Sequence, residues 1–199
     1  MKILLIGAGG TIGSAVDKEL SERHDIIRIG RNSGDLQVDI SDSASIRQLF
    51  EQTGKFDALV CAAGNVTFAP LGEMTEDSFA LGLKDKLMGQ VNLLLIGREF
   101  ANDGASFTFT TGVLSHDPIR SGASAALVNG AIDSFVRAAA IELPRGLRVN
   151  SVSPNVLEEA MGKYAPYFRG YKPVPAADVA LAYAKSVEGL QTGQTFHVG

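Results

Sequence analysis

The sequence predicts a doubly wound α/β fold, a parallel sheet with helices on both faces in three layers. Three observations carry that expectation. Short apolar runs alternate with helical patterns along the whole chain. The runs are near-continuously apolar rather than alternating, as in strands covered on both sides. The 199 residues suit a single core, so one domain spanning 1–199 is expected.

The elements follow in order. Residues 2–6 read as a strand, 11–23 as a helix and 25–29 as a strand. Residues 43–52 form a short helix with Ser41 or Asp42 as its cap, and 58–61 form the next strand. Residues 75–101 are helical with a break near Gly82, followed by a strand at 106–110. The longest helix covers 121–143 and is stopped by Pro144. A strand at 147–152, a helix at 176–187 and a last strand at 195–198 complete the chain. Residues 155–175 are the least regular, rich in proline and aromatics, and lie where open α/β sheets bind ligands. They read equally as a mobile flap or an ordered surface loop.

Composition narrows the class. Hydrophobic residues make up 45% and charged residues 20%, which is globular rather than disordered. A net charge of −4 without a basic cluster argues against nucleic acid or an anionic membrane as partner. The one cysteine, Cys61, lies in an apolar run and reads as a small buried hydrophobe. With no leader pattern and no apolar stretch long enough for a membrane helix, a cytoplasmic location is expected. The three histidines and single cysteine lack metal-ligand spacing, so no metal is expected.

The strongest chemical signal is the turn Gly7-Ala8-Gly9-Gly10-Thr11-Ile12-Gly13 between the first strand and the first helix. Glycine there permits a tight turn and close approach of backbone N–H groups to a pyrophosphate, while the helix N-terminus adds partial positive charge. A glycine triplet alone is a weak signal; in the strand–turn–helix context it marks a Rossmann-type dinucleotide site. A carboxylate after the second strand would grip the ribose 2′-hydroxyl of NAD. This chain has Arg31-Asn32-Ser33 instead, a set able to bind a 2′-phosphate, which favours NADP over NAD.

On these residues the sequence resembles the short-chain dehydrogenase/reductase family almost from end to end. The family's TGxxxGxG turn corresponds to residues 6–13, with Thr11 in place of the second glycine. Asp39-Ile40 is similar to the family's adenine-contacting pair, and Cys61-Ala62-Ala63-Gly64 to its NNAG segment. Leu87-Met88-Gly89 resembles the end of NLxG; residues 147–154, ending in Pro154, resemble RVNxVxPG; and Thr192-Gly193-Gln194 resembles the C-terminal TGQ. The resemblance implies cofactor contacts from Asp39, Ile40, Ala62, Ala63, Gly64 and Pro154 beside those of the turn. It also implies a homodimer or homotetramer formed through the two long helices, where Gly130, Ala131, Ala138 and Ala139 permit close contact.

The same resemblance exposes a departure. Family catalysis uses a tyrosine as acid–base group, a lysine four residues later, a serine and an asparagine. Aligning Ala140-Ile141-Glu142-Leu143 with the family's AxEL puts the tyrosine position at Ala125 and the lysine position at Asn129. The serine position falls at Thr111 or Gly112, and the asparagine position at Lys86. Lysine and asparagine have thus changed places, and an ammonium beside the nicotinamide ribose would survive if Lys86 and Asn129 face each other. Without a tyrosine, a proton donor has to come from Thr111, His116, or Tyr164 and Tyr167 on the flap. Two functions fit: an NADP-dependent oxidoreductase of a small carbonyl or alcohol with a displaced proton donor, or a non-catalytic NADP(H)-binding sensor or scaffold.

Overall fold

The computed structural model describes all residues from 1 to 199 and contains one seven-stranded, wholly parallel sheet. Its strands are β1 (Lys2–Ile6), β2 (Asp25–Gly30), β3 (Leu36–Gln37), β4 (Phe56–Cys61), β5 (Ala101–Thr110), β6 (Arg148–Pro154) and β7 (Thr195–Val198). Their order is β3-β2-β1-β4-β5-β6-β7, a Rossmann-like arrangement. The order reverses between β1 and β4, which opens a crevice beyond their C-terminal ends.

Each face of the sheet has its own apolar layer, as near-continuous apolar strands require. On one face Leu4, Ile6, Leu59 and Phe107 pack under α2 (Ser43–Thr53), α4 (Met88–Gly97) and α5 (Ala123–Glu142). On the other, Ile3, Leu5, Ala58 and Val60 meet α1 (Thr11–Leu20) and α7 (Ala176–Glu188). Asp42 caps α2, its carboxylate accepting from the Ala44 amide at 2.9 Å.

The stretch expected as one broken helix over 75–101 is three pieces. Thr75 caps α3 (Glu76–Gly82) with a reciprocal Ser78 bond, a π-helical turn covers Leu83–Leu87, and α4 follows. The break at Gly82 is therefore a widening of the helix rather than an interruption. Helix α4 ends at Gly97, earlier than the sequence suggests. A Cβ on Gly97 would come within 2.7 Å of the Phe50 ring and 3.1 Å of Phe107, so the chain there lies hard against the core before β5 begins at Ala101.

Residues 155–175 are pinned at their base. Leu157 bridges Val174, and the Glu158 amide donates to the Val174 carbonyl at 2.9 Å. A short helix α6 (Met161–Tyr164) stands between, and the Glu159 carboxylate accepts from the Ala176 amide at the start of α7. No helix in the structure is long and apolar enough to cross a membrane.

Candidate functional site

The glycine turn lies at the β1–β4 crevice, and its steric demands identify which glycines matter. Gly7 has φ of +86°, and a Cβ there would be 2.7 Å from the Ala62 carbonyl oxygen at the end of β4. A Cβ on Gly13 would fall 2.0 Å from the Gly7 oxygen. Gly10 is the N-cap of α1 with no side-chain hydrogen bond, leaving the helix N-terminus without a capping group. Gly9 is freer: its nearest neighbour would be the Ser33 hydroxyl at 3.7 Å. The turn is a backbone cradle that side chains would fill, which fits a phosphate-bearing ligand.

From Ile12 and this cradle a cavity of about 340 Å³ runs past Ala62, Ala63 and Gly64 to the ends of β5 and β6. Its floor carries Lys86, Thr111, Asn129 and Pro154, and apolar side chains form most of its walls. Ala125 lines it too, 3% exposed, beside Val113, Leu114 and Phe168.

Lys86 and Asn129 do face each other. The Lys86 ammonium donates to Asn129 Oδ1 at 2.7 Å and to the Thr111 carbonyl at 3.3 Å. Two features hold it there. Its stem crosses Gly64, where a Cβ would sit 2.6 Å from Lys86 Cγ. Gln90, fully buried, donates to the Lys86 and Thr110 carbonyls and accepts from the Thr110 amide, fastening the π turn to β5. At Gly112 a Cβ would approach Asn129 Nδ2 to 3.1 Å, so glycine makes room for the amide. Burial pushes the Lys86 pKa down to about 8.

The adenosine end reads differently from the sequence expectation. Arg31 does not stand free for a phosphate: its guanidinium pairs with Asp39 and with Asp85, both at 3.1 Å. Asp39 also accepts from the Ser41 amide and hydroxyl, which lowers its pKa together with the nearby Arg31 charge. Ile40 is buried, its side chain packed against Gly89. Asn32 and Ser33 lie in the exposed loop after β2, with Ser33 close to Gly9 and Gly30.

Asp85 and Asn65 escaped the sequence reading. Asp85 is 4% exposed and accepts from the Asn65 amide at 2.9 Å and from Asn65 Nδ2 at 3.2 Å, besides pairing with Arg31. The π turn thus presents Asp85 towards the β2 loop and Lys86 towards α5. An acid next to a lysine inside an apolar helical run was the available signal.

The other candidate proton donors are scattered. Thr111 is buried, with its hydroxyl directed at the Val152 carbonyl at 3.4 Å. His116 does not line the cavity. It is exposed, edge-on to His197 with ring centroids 4.7 Å apart, in a separate polar groove with Asp133 and Arg137. The loop after β5 turns it aside, and its link back to the crevice runs through the Ser115 hydroxyl, 3.4 Å from His116 Nδ1 and donating to the Gly112 carbonyl at 3.2 Å. Of the flap aromatics, Tyr164 and Phe168 line the cavity, Tyr167 is 56% exposed, and Tyr171 donates to the Asp117 carbonyl at 3.1 Å.

A seven-stranded parallel sheet with a glycine cradle at its switch point defines the class of protein. The family model described as Enoyl-(Acyl carrier protein) reductase matches residues 12–198, and the chain belongs to the short-chain dehydrogenase/reductase family. The protein lin1944 from Listeria innocua is 54% identical, each chain covered in full, with a TM-score of 0.99. A small-chain dehydrogenase in complex with NADPH is 26% identical over all of this chain and 96% of that one, with a TM-score of 0.88. The L-xylulose reductase of Bos taurus is 25% identical over 188 residues, which cover 82% of this chain and 75% of the relative. Short-chain dehydrogenase/reductase GME11373 of Pestalotiopsis microspora is 28% identical over 161 residues, and the matched part spans 59% of its length.

Proposed function

We propose that the chain is an NADP(H)-dependent oxidoreductase of a small carbonyl or alcohol whose proton donor differs from the family's tyrosine. The single observation that carries this reading is the Lys86–Asn129 hydrogen bond on the cavity floor. It keeps a cation at the site although Ala125 and Asn129 occupy what the family register makes the tyrosine and lysine positions. When bound, the nicotinamide supplies or accepts a hydride, and the protein orients it. Gly7, Gly9, Gly10, Thr11, Ile12 and Gly13 would hold the pyrophosphate. Arg31, Asn32 and Ser33 would hold the 2′-phosphate, with Asp39 and Ile40 at the adenine. Ala62, Ala63, Gly64 and Pro154 would flank the nicotinamide half. The relative with bound NADPH supports the choice of cofactor.

The opposed reading is a non-catalytic NADP(H)-binding sensor or scaffold. Ala125 favours it, because a methyl group carries no proton to give. NADPH oxidation over a panel of ketones, aldehydes and quinones separates the two: turnover above the protein-free rate supports the enzyme. Tight NADPH binding with no turnover anywhere in the panel supports the sensor. As for assembly, exposed Leu95 on α4 and Leu127 on α5 support a homodimer or homotetramer through these helices. Light scattering on a Leu127→Glu variant tests it, with a smaller mass than the native chain as the expected result.

A further inference from the structure

Resting on the oxidoreductase reading, we propose that Lys86 is the acid that protonates the substrate oxygen, with Asn129 and the Thr111 carbonyl as positioning groups. An ammonium has three N–H donors. Two are directed at Asn129 Oδ1 and the Thr111 carbonyl, both of which only accept. The third has no partner among these neighbours, and Lys86 lines the cavity beside Thr111 and Ala125. The neutral amine has two N–H groups and one lone pair. It can keep both hydrogen bonds and hold the lone pair where the third proton was, so the floor keeps the same arrangement before and after proton transfer.

The step balances. The carbonyl carbon gains the hydride that a reduced nicotinamide supplies, and the π pair of the C=O bond moves onto oxygen. That oxygen takes a proton from Nζ as one N–H bond breaks. The amine then regains a proton from water, and one carbonyl has become one alcohol.

The surroundings suit the role. The titratable groups that face Lys86 are Cys61 at the end of β4 and Asp133 on α5. Burial holds the Cys61 thiol up to about 12, so it is neutral at working pH. Asp133 is engaged by the Ser151 and Thr195 hydroxyls, and neighbouring Asp85 is turned to Arg31 and Asn65. No carboxylate is hydrogen-bonded to the ammonium, and desolvation brings its pKa to about 8. A donor near the operating pH transfers protons efficiently. The walls, with Val113, Leu114, Leu157, Phe68 and Phe168, match an apolar carbonyl compound without charge.

Tyr164 lines the same cavity and is the rival donor, its ring 6.3 Å from both Phe68 and Phe168. The test uses the full chain and its Lys86→Met, Lys86→Arg and Tyr164→Phe variants. Three readouts apply: NADPH affinity by fluorescence, reduction of an aromatic ketone and quinone panel across pH, and acetic anhydride labelling of Lys86 across pH by mass spectrometry. We expect Lys86→Met to lose about 10²–10⁴-fold in kcat, the usual worth of a general acid, while NADPH affinity changes less than about tenfold, the range of one hydrogen bond. Lys86→Arg binds NADPH but stays slow, because guanidinium does not release its proton near neutrality. Tyr164→Phe loses far less in kcat than Lys86→Met does. In the native chain reduction declines as pH rises through about 8, and Lys86 labelling rises over the same interval. Lysine-like labelling only above pH 10, undiminished turnover in Lys86→Met, or collapse in Tyr164→Phe alone overturns the assignment. A native chain that binds NADPH and reduces nothing overturns the oxidoreductase reading, and this assignment with it.

Discussion

Lys86 Nζ and Asn129 Oδ1 stand 2.7 Å apart, and this bond ties the π turn to the middle of α5 across the cavity floor. It joins residues 43 positions apart in the chain. Burying the ammonium has a cost that depends on pH. The folded pKa is about 8 against an ordinary 10.5, so below pH 8 the lysine is charged in both states and the full cost is present. Between these values the unfolded chain binds more protons, and stability rises with pH. Above 10.5 the cost is gone.

The native chain should therefore gain up to about 3 kcal/mol between pH 8 and 10.5 relative to a Lys86→Met variant, since each tenfold change in proton affinity is worth about 1.4 kcal/mol. Urea unfolding at four pH values measures the difference. Parallel curves for the two proteins would mean that the ammonium is solvated.

Arg31 makes a second prediction. If a 2′-phosphate binds at Arg31, as proposed, the two carboxylate partners must share the guanidinium with it or release it. Arg31→Ala should weaken NADP(H) by about 10–100-fold and leave NAD(H) nearly unchanged, in keeping with a charge-assisted hydrogen bond. Asp85→Asn should leave the guanidinium with Asp39 as its one carboxylate partner and strengthen NADP(H) relative to NAD(H). Calorimetric titration with both cofactors decides it, and an equal loss for both in Arg31→Ala rules out a 2′-phosphate contact.

The glycine cradle predicts a sharp contrast in stability. Gly13→Ala forces a methyl carbon to 2.0 Å from the Gly7 oxygen, a backbone atom that cannot move aside as a flexible side chain would. The cost should exceed about 3 kcal/mol, beyond the ordinary range for core overpacking. Gly162→Ala in α6 meets nothing within 4 Å and should be neutral or stabilise by about 0.5–1 kcal/mol. Thermal unfolding of the two variants gives the comparison.

Much of the fold was legible because its physics is local. Short runs rich in apolar residues, continuous within 2–6 and 58–61 and interrupted by polar residues at 106–110, 147–152 and 195–198, marked six of the seven strands, and glycine, proline and Asp42 marked the ends. Strand β3 was missed because Leu36–Gln37 is two residues long and held by pairing with Ile29 and Gly30, not by an apolar run. The overrun past Gly97 arose because Arg98, Glu99 and Phe100 are compatible with a continuing helix. The close approach of the distant Phe50 and Phe107 rings to Gly97, where the helix stops, has no local signature. The site divides in the same way. The glycine turn is encoded by spacing, and the Lys86–Asn129 pairing could be anticipated from the exchange of residue types. Asp85 with Arg31 could not, since their 54-residue separation closes only in the folded sheet. His116 looked suitable by its chemistry, and the direction of one loop removes it.

Rebuilding the family's arrangement should take three substitutions rather than two. Under the proposed register Ala125→Tyr with Asn129→Lys would restore both residues, yet it sets a second ammonium against Lys86, whose Nζ already sits 2.7 Å from the Asn129 oxygen. Two like charges about 4 Å apart repel by about 4 kcal/mol at an effective dielectric constant of about 20. That double variant should be markedly less stable than the native chain and should bind NADPH poorly. Adding Lys86→Asn removes the repulsion and completes the exchange. The triple variant should melt well above the double one and reduce carbonyl substrates faster than the native chain, with the tyrosine hydroxyl as donor. Melting temperature and NADPH oxidation on the same preparations check both halves. A double variant as stable as the triple would show that positions 86 and 129 do not share one charge site.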